Sequence, residues 1–168
     1  MSFSRRTAQL LHDDHQATVV IIEALDQLLA KARKKAPDVS DPMVQETLKK
    51  AGSAIEEEVS EHFAFEENEL FTRLEEMGDV GIGEHLRGEH RALLPLGQTV
   101  AELSREALEN GFTADSWIRF RNVAGELIER MLAHIQKEEM ALLPALEDLL
   151  DAETDMELST AYAESHQS

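Results

Sequence analysis

His134-Ile135-Gln136-Lys137-Glu138-Glu139 decides how this chain is read, because His62-Phe63-Ala64-Phe65-Glu66-Glu67 carries the same pattern earlier on. Aligned over thirteen residues, HFAFEENELFTRL (62–74) and HIQKEEMALLPAL (134–146) share the His, both Glu residues, and leucines at 70/142 and 74/146. In a helix, a Glu four residues after a His lies on the same face, about one turn away. Two such faces turned toward each other would form a site for a pair of metal ions.

The repeat extends outward from these motifs. Leu11-His12-Asp13-Asp14-His15 precedes the first and Leu86-Arg87-Gly88-Glu89-His90 precedes the second, with 47 residues from His15 to His62 and 44 from His90 to His134. The chain therefore reads as two copies of a helical hairpin, related by an approximate two-fold axis that also relates two metal positions. All four histidines fall on apolar faces. His15 has Leu11, Val19 and Ile22 beside it; His62 has Val59, Phe65 and Leu70; His90 has Leu86, Leu93 and Leu94; His134 has Leu127, Met131 and Leu142. Glu66 and Glu138 share those faces, and a buried carboxylate is costly unless it is paired or binds a cation.

A lone interior histidine is more often a hydrogen-bonded core residue than a ligand, and one HxxxE in an acidic helix is weak. Two in equivalent positions, each preceded at a similar interval by an inward acid–His pair, are far more specific. His15, His62, Glu66, His90, His134 and Glu138 are the candidate ligands. If each Glu bridges, each metal receives two imidazoles and two carboxylate oxygens, with open positions for water, oxo or a small gas. Such nitrogen and oxygen donors suit two iron ions with an oxo or hydroxo bridge, and they also fit manganese or zinc. Glu67 and Glu139, five residues past their histidines, read as solvated or as supports behind the ligands. Asp14 and Glu89 could each orient an imidazole, with a surface position as the default. His12 and His85 lack a counterpart in the repeat and read as peripheral. His85 and Glu89 do form another pair at HxxxE spacing, the main rival to His90. His166 lies in the tail and reads as exposed.

Apolar periodicity and punctuation predict four long helices. The first spans about Thr7 to Lys35 and stops before Pro37. Asp41 with Pro42 starts the second, which runs to about Met77 with Gly78 as its cap. DVGIG (79–83) reads as a turn, and the third helix spans roughly Glu84 to Glu109, weakened by Gly88, Pro95 and Gly97 with a kink near Pro95. Thr113 caps a fourth from about Ala114 to Leu150. The expected fold is an all-α, up-down-up-down four-helix bundle over residues 1–150. Residues 151–168 form a polar tail with a short helix around Met156–Glu164.

A net charge of -18 argues against nucleic-acid and anionic-membrane partners, since both need a basic surface. With no cysteine, disulfides, iron–sulfur clusters, thiolate zinc sites and thiol catalysis are all excluded. No signal peptide or membrane span is expected, which makes the cytoplasm the default location.

The pattern DH…HxxxEE…EH…HxxxEE over about residues 8–150 resembles the hemerythrin-like family, the HHE cation-binding domain. The resemblance implies a four-helix bundle around a non-haem di-iron centre, with the six candidate residues as ligands. One departure bears on function. Oxygen-carrying hemerythrins have two histidines four apart on the third helix and an acid five after the last His. Here Leu86 stands four before His90 and Glu138 follows His134 at plus four, so one imidazole of the respiratory pattern is absent. The leading expectation is a binder or sensor of O2, NO or iron rather than an enzyme. The alternatives are a di-iron oxidase, peroxidase or iron-centre repair protein, with Tyr162 or His85 as a proton donor, and a metal-free structural bundle.

Overall fold

The structure is a computed structural model and describes residues 3–165. Among them the chain forms five helices and no strand: α1 Arg6–Lys31, α2 over 42–76, α3 Gly81–Asn110, α4 over 114–149, and α5 Ala152–Ser165. Four are the expected long helices, and the short helix expected around Met156–Glu164 is a longer fifth, Ala152–Ser165. Residues 152–165 buried only Asp155, Leu158, Ser159 and Tyr162, a narrow stripe that is hard to see in so polar a segment, and this stripe docks on α1.

Local chemistry explains where the helices begin and end. Asp41 accepts from the Met43 amide at 2.9 Å with Pro42 in the first turn, and Thr113 and Ser116 close a reciprocal cap at 3.0 and 2.8 Å. Gly78 and Gly111 hold φ of 96° and 76°, a left-handed backbone that ends α2 and α3. α1 stops at Lys31 rather than Lys35, and α3 starts at Gly81, so three of the five residues of the expected 79–83 turn are already helical.

α3 is a single α-helix through Pro95. Gly97, expected only to weaken it, has a packing reason. A Cβ there would lie 2.6 Å from Val59 Cγ1 and 3.2 Å from Ile55 Cγ2, so glycine is what lets α3 approach α2. α1 packs on α2, α2 on α3, α3 on α4, and α4 back on α1. Contacts at both ends show α1 and α4 running in opposite directions. The Trp117 indole at the start of α4 donates to the Ala32 carbonyl just past α1 at 2.7 Å, while Glu139 toward the end of α4 meets His12 near the start of α1 at 2.8 Å.

Two apolar clusters fill the interior. Ile22, Leu25, Leu48, Leu93, Trp117 and Phe120 belong to one; Leu11, Phe71, Leu74, Leu86, Leu146 and Leu158 belong to the other. Along every long helix, the candidate ligands sit where one cluster gives way to the other. No helix among the described residues is long and apolar enough to cross a membrane.

α5 also completes the start of α1. Arg5 offers no side-chain cap there, and the Asp155 carboxylate instead accepts from the Arg6 and Thr7 amides, each at 2.9 Å. Burial works against its charge, but these hydrogen bonds outweigh it and hold the carboxyl below the usual Asp range. Asp155→Ala should cost about 1–2 kcal/mol at neutral pH. A lowered folded pKa means this stability is present above about pH 3.9, the unfolded value. It is lost as pH falls through the folded one. Denaturant titrations of both proteins should therefore differ at pH 7 and converge in acid. Gly97→Ala should destabilise by roughly 1–3 kcal/mol through overpacking, and an unchanged midpoint would contradict the close α2–α3 approach.

Candidate metal centre

The HxxxEE motifs lie where α2 and α4 leave regular α-helical geometry. α2 carries π-helical turns at Glu58–His62 and Glu66–Phe71, and α4 carries one at Glu138–Leu142. The inward residues recur every four positions: His62, Glu66, Leu70 and Leu74 in α2, and His134, Glu138, Leu142 and Leu146 in α4, all 1% exposed or less. A step of four overshoots a 3.6-residue turn by about 40°, so a straight α-helix would carry later members of the series off the face. A π turn holds more residues and cancels that drift, which is one reason such turns gather at functional sites.

The structure brings all six predicted residues together, each 3% exposed or less. Ligand atoms of His15, His62, Glu66 and Glu138 lie within 4.8 Å of one another, and so do those of Glu66, His90, His134 and Glu138. The two groups share both carboxylates. Glu66 presents Oε2 to His62 Nε2 at 3.5 Å and Oε1 to His90 Nε2 at 3.1 Å. Glu138 Oε1 lies 3.7 Å from His15 Nε2 and 2.7 Å from His134 Nε2.

Each imidazole is held from behind at Nδ1. Glu139 takes His15 at 3.2 Å, Glu67 takes His90 at 3.2 Å, Glu89 takes His134 at 2.8 Å, and the Tyr162 hydroxyl takes His62 at 3.3 Å. With an acid accepting from Nδ1–H, Nε2 carries a lone pair toward the interior. All four Nε2 atoms and all four oxygens of Glu66 and Glu138 are buried without a hydrogen-bond partner. His134 Nε2 and Glu138 Oε1 are therefore two electron-rich atoms at close range. Converging lone pairs of this kind suit a cation, and the donor set fits a metal pair.

Without a cation, several of these groups titrate away from their usual ranges. Burial opposes charge on His62, yet Glu58 and Glu66 beside it raise its pKa to about 9. Burial likewise works against the Glu66 carboxylate, but His62 and His90 outweigh it and hold its pKa far below the usual range. His134 goes the other way: burial dominates, and its pKa falls to about 4 despite Glu66 and Glu89. Glu58, buried and close to Glu66, is raised.

The remaining candidates divide cleanly. His85 is exposed and meets Glu89 only on the outer face at 3.5 Å, so His90 is the inward member of the rival pair. Glu67, Glu89 and Glu139 support imidazoles, and Glu139 also binds His12. His166 lies outside the described residues. Two residues near the centre hold places the sequence reading did not assign them: Tyr162 was expected only as a proton donor, and Glu58 was not singled out. Tyr162 comes from α5. Glu58 lies one step of four before His62, 6% exposed, with its Oε1 at 3.6 Å from His62 Nε2.

The family model described as the hemerythrin HHE cation binding domain matches residues 6–146 and again 81–167, the second match beginning where α3 begins. No curated protein matches the chain.

Glu138→Gln should abolish metal uptake, read by elemental analysis. It should also remove the metal-linked stabilisation of the fold, about 2.7 kcal/mol at a free metal concentration of 100 Kd. The metal-free variant should be no less stable than the metal-free parent, because a buried, unpartnered carboxylate has been neutralised. Retention of full metal content would rule out Glu138 as a ligand.

Proposed function

This chain belongs to the hemerythrin HHE cation-binding family, and from that premise we propose that it is a non-haem di-iron protein that binds or senses O2, NO or iron. The observation that carries the reading is the pair of buried ligand groups sharing Glu66 and Glu138. In this reading α1 to α4 are the up-down-up-down bundle around the two metals, and α5 is a strap across one side. His15 and His62 would hold one iron and His90 and His134 the other, with Glu66 and Glu138 shared between the two groups.

When bound, a ferrous pair supplies electrons and open coordination positions to a diatomic gas. The residues supply the setting. Neutral imidazoles bring donors without charge, and the shared carboxylates offset part of the cationic charge in a low-dielectric interior. Phe63 stacks on the His90 ring at 3.8 Å between centroids and keeps that side dry. Leu86, where the respiratory pattern has a further imidazole, is buried among apolar neighbours, which leaves the second position with fewer protein donors.

Two features favour binding over turnover. An oxidase or peroxidase needs a proton donor facing the metals. His85 is exposed on the outer face, and Tyr162 meets the outer nitrogen of His62. The metal-free structural reading gives no reason for eight orphaned donor atoms converging at one level of the core.

Protein isolated as expressed should contain about two irons per chain. It should have a visible absorption band that changes on exposure to O2 or NO. Zinc or manganese in place of iron, or an iron form indifferent to both gases, would overturn the proposal.

A further inference from the structure

We propose that Glu58 is a third carboxylate ligand, serving only the metal position formed by His15 and His62, and that it makes the two positions of the pair unequal. The inference rests on the metal-binding reading above. Its first support is position. Glu58 Oε1 lies 3.6 Å from His62 Nε2, while Glu66 Oε2 lies 3.5 Å from that same nitrogen. The metal-facing nitrogen is thus flanked by two carboxylate oxygens at nearly equal range.

The second support is unmet need. Glu58 is 6% exposed, and its Oε1 is buried with no hydrogen-bond partner. A carboxylate in such a place is costly unless a cation or donor reaches it. The third is the lack of a twin. Four residues before His134 the repeat has Arg130, whose half-exposed side chain pairs with Glu126 at 3.1 Å. Among the described residues, the carboxylates paired with Nε2 of His90 and of His134 are the shared Glu66 and Glu138 alone.

A cleft of about 160 Å³ between α1 and α2 is lined by Asp14, Thr18, Ile21, Glu58 and His62. It reaches the His15/His62 position and none of the residues of the other. One position then has two imidazoles and three carboxylates, a harder and more anionic set that retains its ion. The other has two imidazoles and the two shared carboxylates, and keeps more open coordination for a gas.

The test is iron release from the full-length, iron-loaded chain to an excess of chelator. The parent should lose one iron quickly and one slowly. Glu58→Gln should speed the slow phase by roughly tenfold or more, at least the effect of losing a contact behind a ligand. It should leave the fast phase unchanged. Glu58→Ala should behave alike, and acetate, small enough for the cleft, should restore its slow phase. Arg130→Gln should alter neither phase. Unchanged release from Glu58→Gln, equal acceleration of both phases, or acceleration that acetate fails to reverse would overturn the inference. A parent chain that takes up no iron would instead remove the metal-binding reading itself.

Discussion

Two carboxylates in the middle of a hydrocarbon core constrain everything else in this protein. Glu66 and Glu138 are fully buried, and none of their oxygens finds a hydrogen-bond donor. Removing an ionised group from water is tolerable only when opposite charge or donors replace the solvent. The fold meets that demand by arranging four imidazoles around the acids and dividing the apolar interior into two clusters on either side. A core of this kind exchanges some intrinsic stability for a place where a cation belongs.

Orientation of the imidazoles passes from helix to helix. Glu67 of α2 holds His90 of α3, Glu89 of α3 holds His134 of α4, and Glu139 of α4 holds His15 of α1. Each support comes from the helix next to the one it steadies, so the orientation of the imidazoles and the helix packing enforce one another. The ring closes differently at His62, where the partner is Tyr162 of α5. The two-fold relation between the hairpins is therefore broken in two places, by Tyr162 and by Glu58, and both lie on the His62 side.

The six inward residues were legible because a step of four on an apolar face, repeated in two hairpins, is a strong signal. That same reliance on symmetry hid Glu58, whose counterpart Arg130 is a surface residue, and it left Tyr162, which has no counterpart, readable as a proton donor but not as the support of His62. A cue to the π turns was present in the unbroken four-residue series from Glu58 through His62, Glu66 and Leu70 to Leu74, too long for one face of a straight α-helix. The helix ends followed their caps at Asp41, Thr113, Gly78 and Gly111. The docking of α5 was not legible, because it depends on four buried side chains and on amides at the far end of the chain.

That last attachment governs the order in which the molecule can be completed. The Asp155–Thr7 contacts span 148 residues and the Tyr162–His62 contact spans 100, whereas Glu67 and His90 are separated by only 23. Contacts so distant in sequence close late, after the loop entropy of nearly the whole chain has been met. As the chain leaves the ribosome, three of the imidazoles can find their supports before the final helix emerges. His62 cannot. Its ring gains its outer support only once α5 has folded back onto α1, so the His62 side of the core is the last of the four to be set.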